Sequence, residues 1–279
     1  MLLSTQTNRY AHQLLAARAN AQQLAPLSET NPTLTSADGY DVARSILGIR
    51  TAQGEVAIGR KISFTNRSVW RGHGWQEDTP IWAPMFDTTL RYAEDNHGLQ
   101  SLVGAVQPRV EPKIVFKLGK TPAPDASVEA ITGCIEWMAH GFEIAVCPFS
   151  DWQFKPVDAI AAFGLHGTLI LGEPKLLSEA TRRNLAGVLA DASVSLSCST
   201  GESFSLRAAG FGGDVLGSPV HALWHLHRML QAQPEFKPLA AGQIIATDTL
   251  TDAYPIEAGQ TWTTAFSGVS LSGLTVSFV

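Results

Sequence analysis

Lys61, Glu111, Lys113 and Glu143 are the residues of this 279-residue chain whose types and spacing offer chemistry. Residues 55–65 alternate as a strand does, with Val56, Ile58, Ile62 and Phe64 on one side and Ala57, Gly59, Lys61, Ser63 and Thr65 on the other. Residues 110–118 alternate again, so Glu111 and Lys113 point the same way, opposite Ile114, Phe116 and Leu118. Glu143 stands between Gly141 and Ala145 on a third strand, whose Phe142, Ile144 and Val146 turn inward. Such groups hold anions and move protons. Charged strand faces ordinarily meet water, however, and on pattern alone these read as solvated surface.

The elements that must position them follow from periodicity and capping. Residues 5–24 have helical composition, with Leu14, Leu15 and Leu24 among Ala, Gln and Arg and neither Gly nor Pro. After a loop over 25–38, Ser36 or Asp38 caps a second helix through Ala43, Ile46 and Leu47. Residues 66–86 are rich in Gly, Trp and Pro without period, and this segment, with Trp70, His73, Trp75, Glu77 and Trp82, reads as a lid. Asp125 or Ser127 caps a helix carrying Val128, Ile131, Ile135 and Met138 and ended by Gly141, which makes His140 a C-terminal helix residue favoured by the macrodipole. Strands follow at 141–146, 167–171, 194–198 and 204–206, the last two joined by a Thr200-Gly201-Glu202 turn. Ser218-Pro219 opens a helix with Val220, Leu223, Trp224 and Leu230 on its apolar stripe, and residues 244–247 and 269–279 return to strand.

Composition narrows the function classes. With 45% hydrophobic and 16% charged residues the chain can bury a substantial core, which excludes disorder and small disulfide scaffolds. Lys and Arg number 20 against 25 Asp and Glu, a net charge of -5, so no basic stripe offers itself to nucleic acid. No apolar run approaches the roughly 18 residues of a membrane span, and Gln6, Asn8, Arg9 and His12 break any signal-peptide core. Cys134, Cys147 and Cys198 are odd in number and widely spaced, which fits a reducing cytoplasm. The P-loop, GxSxG and HExxH patterns are absent, and no GxGxxG opens a helix after a strand, which removes phosphate cradles and zinc proteases.

The order of the charged strands adds a family resemblance. Gly59-Arg60-Lys61-Ile62-Ser63-Phe64-Thr65, then Pro108-Arg109-Val110-Glu111-Pro112-Lys113-Ile114-Val115-Phe116, then Gly141-Phe142-Glu143-Ile144 resemble the 2-keto-4-pentenoate hydratase branch of the fumarylacetoacetate hydrolase superfamily. The match runs on through Asp151-Trp152, Ala162-Phe163-Gly164-Leu165-His166-Gly167, Leu216-Gly217-Ser218-Pro219, residues 239–247 and the Pro255-Ile256-Glu257-Ala258-Gly259 turn, over roughly residues 40–279.

The resemblance implies an α+β fold, with mixed β-sheets rolled into a barrel-like form and helices at the periphery. A helical N-terminal region over 1–50 would pack on a catalytic domain over 51–279. It implies a lyase of the hydratase type, adding water to a small 2-hydroxydienoate such as 2-hydroxypenta-2,4-dienoate in aromatic catabolism. Decarboxylation or C–C hydrolysis on the same scaffold is the alternative among enzymes, and a non-catalytic binder of small carboxylates is the alternative outside them. Partners would be the small-molecule carboxylate and further copies of the chain.

In the family, three carboxylates hold Mg²⁺ or Mn²⁺: a Glu-x-Glu pair, and one on the strand that follows the next helix. Glu111 matches the first and Glu143 the third, whereas the second position holds Lys113. Mg²⁺ prefers six oxygen ligands, so exchanging a carboxylate for an ammonium should weaken metal binding severely. An ammonium between Glu111 and Glu143 leaves a net charge of about -1, as a divalent ion among three carboxylates does. Lys113 is thus expected as a fixed cation, as a Schiff-base amine if burial near Lys61 lowers its pKa, or as one half of an ion pair in a site without catalysis. Lys61 matches a lysine of the substrate pocket. His166 falls near the substrate, as a general acid or base or as a core histidine. Trp82, Thr247 and Asp248 are expected to touch substrate, with Asp248 where the family usually has Gly. His73 and Glu77 read as exposed loop residues, since Gly72 and Gly74 disfavour a helix there, with a water-activating pair like that of related C–C hydrolases as the alternative.

Overall fold

A computed structural model describes residues 3–65 and 80–279. The chain begins with helices α1 (Ser4–Ala19), α2 (Leu27–Thr30) and α3 (Ser36–Ala52). Thr35, rather than Ser36 or Asp38, caps α3: its hydroxyl accepts the Asp38 N–H, and the Asp38 carboxylate accepts the Thr35 N–H in return. Among the described residues the strands are β1 Ala57–Ser63, β2 Ile81–Phe86, β3 Leu90–Tyr92, β4 His97–Gln100, β5 Arg109–Leu118, β6 Ile135–Ala145, β7 His166–Leu171, β8 Lys175–Leu176, β9 Ser193–Thr200, β10 Ser203–Phe211, β11 Ile244–Thr249, β12 Tyr254–Pro255, β13 Gln260–Ser267 and β14 Thr275–Phe278.

They form two mixed sheets. The larger runs β2-β1-β11-β5-β6-β7-β3, with β12 added to β5 and β8 to β6, and curls into a half-barrel; the smaller runs β10-β9-β13-β14-β4. β1 pairs with β11 in parallel, while β11, β5, β6 and β7 pair antiparallel in turn. The α+β class with peripheral helices is therefore the observed one.

Four local expectations change, the first being the strand expected over 269–279, which is confined to Thr275–Phe278. The helix expected to run to Met138 is one turn long, Val128–Thr132, and Ile135 and Met138 belong to β6. Here pairing with β5 along nearly the whole strand overrides helical spacing, because cross-strand burial outweighs intrinsic propensity. His140 consequently sits mid-strand and caps no helix. Residues 81–86, expected within a lid, form the buried strand β2 against β1. Trp70, His73, Trp75 and Glu77 lie outside the described residues. β13, which carries no clear signal of its own, occupies the centre of the smaller sheet.

The core has three parts. Helices pack on one side of the larger sheet, where Tyr10, Leu14, Ile46, Trp82, Phe116 and Leu223 share a buried cluster. Phe142, Ile144 and Ile170 of the larger sheet meet Leu196, Trp262 and Phe278 of the smaller one. Inside the curl, Met85, Val115, Ala139, Leu169, Leu171, Ile244 and Ala246 form an apolar plug. Lys61, Glu111, Lys113, Glu143 and Asp248 continue the same inward-facing rows beyond that plug.

Candidate active site

Strand register brings the charges together. Glu111 stands opposite Glu143 and Lys113 opposite Gly141 in the β5–β6 pair, while Lys61 pairs with Ala83 on one side and Ala246 on the other. The small partners leave room for the long side chains. Lys61 is 2% exposed, and Lys113 and Glu143 are 0% exposed, so the solvated-surface reading fails for all three. β11 contributes Asp248 through a bulge, three residues from Ala246 to Thr249 spanning two of β5 from Val115 to Lys113. Asp248 accepts hydrogen bonds from the N–H and hydroxyl of Thr65 and from the Thr249 N–H.

The Lys113 ammonium lies among three carboxylates, with Nζ 2.8 Å from Glu111 Oε2, 2.8 Å from Glu143 Oε2 and 3.7 Å from Asp248 Oδ1. The contacts are ion pairs rather than aligned hydrogen bonds. Burial alone would push the lysine pKa down, but Glu111, Glu143 and Asp248 outweigh it and hold the group above the ordinary lysine range. The three carboxylates favour the protonated ammonium, which is not nucleophilic and so counts against the Schiff-base role.

Glu143 is the hub of the cluster. Lys61 Nζ donates to its Oε1 at 2.6 Å and to the Gly164 carbonyl at 2.8 Å, and His166 Nδ1 lies 2.8 Å from the same Oε1. Burial would raise the Glu143 carboxyl, yet Lys113 and Lys61, with His166, hold it well below the carboxylate range. Burial pushes His166 down to about 4, against the pull of Glu143. The imidazole is then neutral, and since a carboxylate only accepts, Nδ1 carries the proton while Nε2 faces Thr89 Oγ1 at 3.0 Å.

The backbone around these groups is unusual. Phe163, Gly164 and Leu165 are all left-handed, with φ of 58°, 58° and 60°, and this turn aims the Gly164 carbonyl at Lys61. Each such non-glycine residue costs on the order of 1 kcal/mol, which the surrounding packing must offset. Phe64, Asp151 and Trp152 are left-handed too.

Above the cluster opens a cleft of about 500 Å³, with Lys61, Glu111, Asp248, Gly164, Arg109 and Trp152 on its wall. Lys113, Glu143 and His166 lie behind that wall. Two expected substrate contacts lie elsewhere: Trp82 stacks on Tyr40 and donates its Nε1–H to Gln233, and the Thr247 hydroxyl donates to the Ile114 carbonyl. Trp82 faces the helices because it alternates with Ala83, and Thr247 turns away at the bulge. Sequence reasoning passed over Arg109, Trp152 and Gly164 as site residues. For Arg109 the signal was present, since it shares the alternating face of Glu111 and Lys113.

The residues do not fit a divalent ion. Mg²⁺ would need carboxylate oxygens at about 2.0–2.1 Å, but the point on which Glu111, Glu143 and Asp248 converge holds the Lys113 ammonium. Among the described residues no group of three or more His, Cys, Asp or Glu side chains is arranged to hold a metal. The Glu111 and Glu143 pair implied by the resemblance therefore holds a cation of the chain's own.

No family model matches the chain. Curated relatives do. A 2-hydroxyhexa-2,4-dienoate hydratase of Comamonas testosteroni is 28% identical over 260 residues, covering 92% of each chain. A 2-keto-4-pentenoate hydratase of Paraburkholderia xenovorans is 26% identical over 265 residues, covering 95% of this chain and 92% of that one. A 4-oxalocrotonate decarboxylase of a Pseudomonas species is 27% identical over 231 residues, 81% of each. Among solved structures, 4-oxalocrotonate decarboxylase from Pseudomonas putida, complexed with magnesium and adipate, superposes with a TM-score of 0.86 at 21% identity, over 100% of this chain and 99% of that one. Sequence likeness and architecture agree: the chain is similar to 2-keto-4-pentenoate hydratases over most of its length and shares the mixed α+β fold of solved fumarylacetoacetate hydrolase proteins.

Proposed function

We propose that the chain is a hydro-lyase that adds water to a small 2-hydroxydienoate, with Lys113 supplying fixed charge where relatives are expected to carry a metal-binding carboxylate. The observation that carries this reading is the cleft wall, which Lys61, Glu111 and Asp248 line while Lys113 ties Glu111, Glu143 and Asp248 together. The hydratase names of the relatives support it.

Hydration of 2-hydroxypenta-2,4-dienoate moves the hydroxyl proton away as a proton is added at C5, which gives an unsaturated 2-oxo acid. Water oxygen then bonds to C4 and a proton to C3. Both halves pass charge through the C2 oxygen, so a fixed cation there lowers the barrier. Lys61 spends two of its three N–H donors on Glu143 and Gly164, leaving one for the substrate's carboxylate or C2 oxygen. Glu111 and Asp248 reach the cleft and carry the proton; Glu143, with His166 behind it, positions Lys61. Lys113 positions the carboxylates and keeps their summed charge low.

A second reading, decarboxylation of a 2-oxo acid, is favoured by the 4-oxalocrotonate decarboxylase among the relatives. Turnover of 2-hydroxypenta-2,4-dienoate, followed by loss of diene absorbance in the presence of a chelator, tests the proposal. A product heavier by one water supports it; released CO₂ from a dicarboxylate selects the second reading; no turnover with retained binding leaves a binder of small carboxylates.

Free thiols at Cys134, Cys147 and Cys198 support a cytoplasmic setting. Phe204, Leu206 and Phe211, exposed along β10, support self-association. No helix among the described residues is long and apolar enough to cross a membrane.

A further inference from the structure

Arg109 is a cation on the cleft wall whose guanidinium makes no ion pair and no side-chain hydrogen bond among the described residues, although the charge of Glu111 reaches it. Lys61, its neighbour on that wall, spends two of its three donors on Glu143 and Gly164. Instead the Arg109 guanidinium carbon lies 4.1 Å from the centroid of the Trp152 ring. A guanidinium held over an aromatic face keeps its N–H edges free, and those edges match a carboxylate two bonds at a time.

Trp152 is itself fixed. Its Nε1–H donates to the Gln107 carbonyl at 3.0 Å, and the Asp151 N–H donates to Gln107 Oε1 at 3.0 Å. Asp151 and Trp152 both hold the left-handed conformation, at φ of 56° and 57°, that L residues rarely adopt. A strained, hydrogen-bonded corner thus places one ring beneath one arginine.

Position along β5 gives the arginine its meaning. Arg109, Glu111 and Lys113 share one face, on which Arg109 and Glu111 are partly exposed and Lys113 is fully enclosed. Arg109 and Lys113 are separated by about 13 Å of strand, with Arg109 on the cleft wall and Lys113 behind it. Two ammoniums against three carboxylates leave the Lys61–Lys113 cluster one charge negative, and Arg109 takes part in none of its ion pairs. The reacting carbons belong beside the groups that move protons.

We propose that Arg109, held by Trp152, binds a carboxylate at the end of the substrate remote from the reacting carbons, so that the preferred substrate is a linear dicarboxylate. This deepens the lyase reading and rests on its placing the 2-oxo acid end at Lys61.

The test uses an unreactive pair of equal length, trans,trans-muconate with two carboxylates and sorbate with one, titrated calorimetrically into the full chain. The native protein is expected to bind muconate about tenfold more tightly than sorbate, the size of one charge-assisted hydrogen-bonded contact. Arg109→Ala should erase the preference by weakening muconate alone, and Arg109→Lys, which keeps the charge without the fork, should fall between. Equal affinities in the native protein, or an equal loss for both ligands in Arg109→Ala, overturns the assignment. Turnover separates this claim from the lyase reading. A chain inert towards dienoates that still prefers muconate keeps the anchor and loses the lyase; one that hydrates 2-hydroxypenta-2,4-dienoate without that preference keeps the lyase and loses the anchor.

Discussion

Glu111 stands directly opposite Glu143 across the β5–β6 pair, and the two carboxylates are joined through Lys113, whose Nζ lies 2.8 Å from an oxygen of each. Like charges placed opposite one another in a sheet repel. The lysine is thus a condition of the fold as well as a component of the site.

Lys113→Met should leave the carboxylates uncompensated and lower unfolding stability by about 3–5 kcal/mol, the cost of breaking a buried ion pair from one side. Urea unfolding at neutral pH measures it. Lys113→Glu should restore an all-carboxylate set, so that Mg²⁺ or Mn²⁺ raises its melting temperature while leaving the native protein unmoved. An equal rise in the native protein would show that the ammonium does not block the ion.

Stability should fall as the solution is acidified from the ordinary histidine value towards about 4. Burial holds both His140 and His166 at about 4 in the folded chain, against about 6.5 when unfolded. Between those values the unfolded chain binds protons that the native one refuses, so this contribution is complete above the unfolded value and is lost as pH drops. Each histidine contributes up to about 1.4 kcal/mol per pH unit in that window. Glu143, depressed well below the carboxylate range, loses its contribution only at still lower pH. Denaturant midpoints across the window should flatten in a variant carrying His140→Gln and His166→Gln.

Gly164→Ala should destabilise the chain by about 1–2 kcal/mol, because the position is left-handed. A Cβ there would also lie 3.1 Å from that of Ala83. Since the Gly164 carbonyl holds Lys61, the substitution should raise KM as well. A loss of stability with KM unchanged would separate the turn from substrate binding.

Thr264→Val tests how the smaller sheet supports the site. The Thr264 hydroxyl lies 2.9 Å from His140 Nε2, and His140 Nδ1 lies 2.9 Å from the Lys113 carbonyl, so β13 steadies the backbone of β5. Leaving the buried imidazole nitrogen without a partner should cost about 1–3 kcal/mol. Thermal unfolding checks the loss, and KM should stay put because Thr264 lies outside the cleft wall.

Local order in the sequence determined a good deal. Alternation alone puts Glu111 and Lys113 on one face, and a Thr200-Gly201-Glu202 turn alone announces the β9–β10 hairpin, because side-chain period and turn chemistry are properties of neighbours. Ser218 followed by Pro219 marks the start of the helix Pro219–Gln231 for the same reason. The strand-and-charge order from Lys61 to Glu143 was also enough to reveal the family resemblance.

Only the tertiary structure decided that these faces meet. Whether a charged strand face is solvated or enclosed depends on which strands pair and how the sheet curls, and neither is written in a window of ten residues. So Lys61 and Lys113, which read as surface, are buried; Asp248 reaches Lys113 through a bulge that exists only in the pairing of β11 with β5; and Trp82 joins the core under the helices. The seating of Arg109 on Trp152 joins positions 43 residues apart in the sequence, at a distance of 4.1 Å. Charge in a protein acquires its chemistry from burial and partners, and those are set by contacts between residues far apart in the chain.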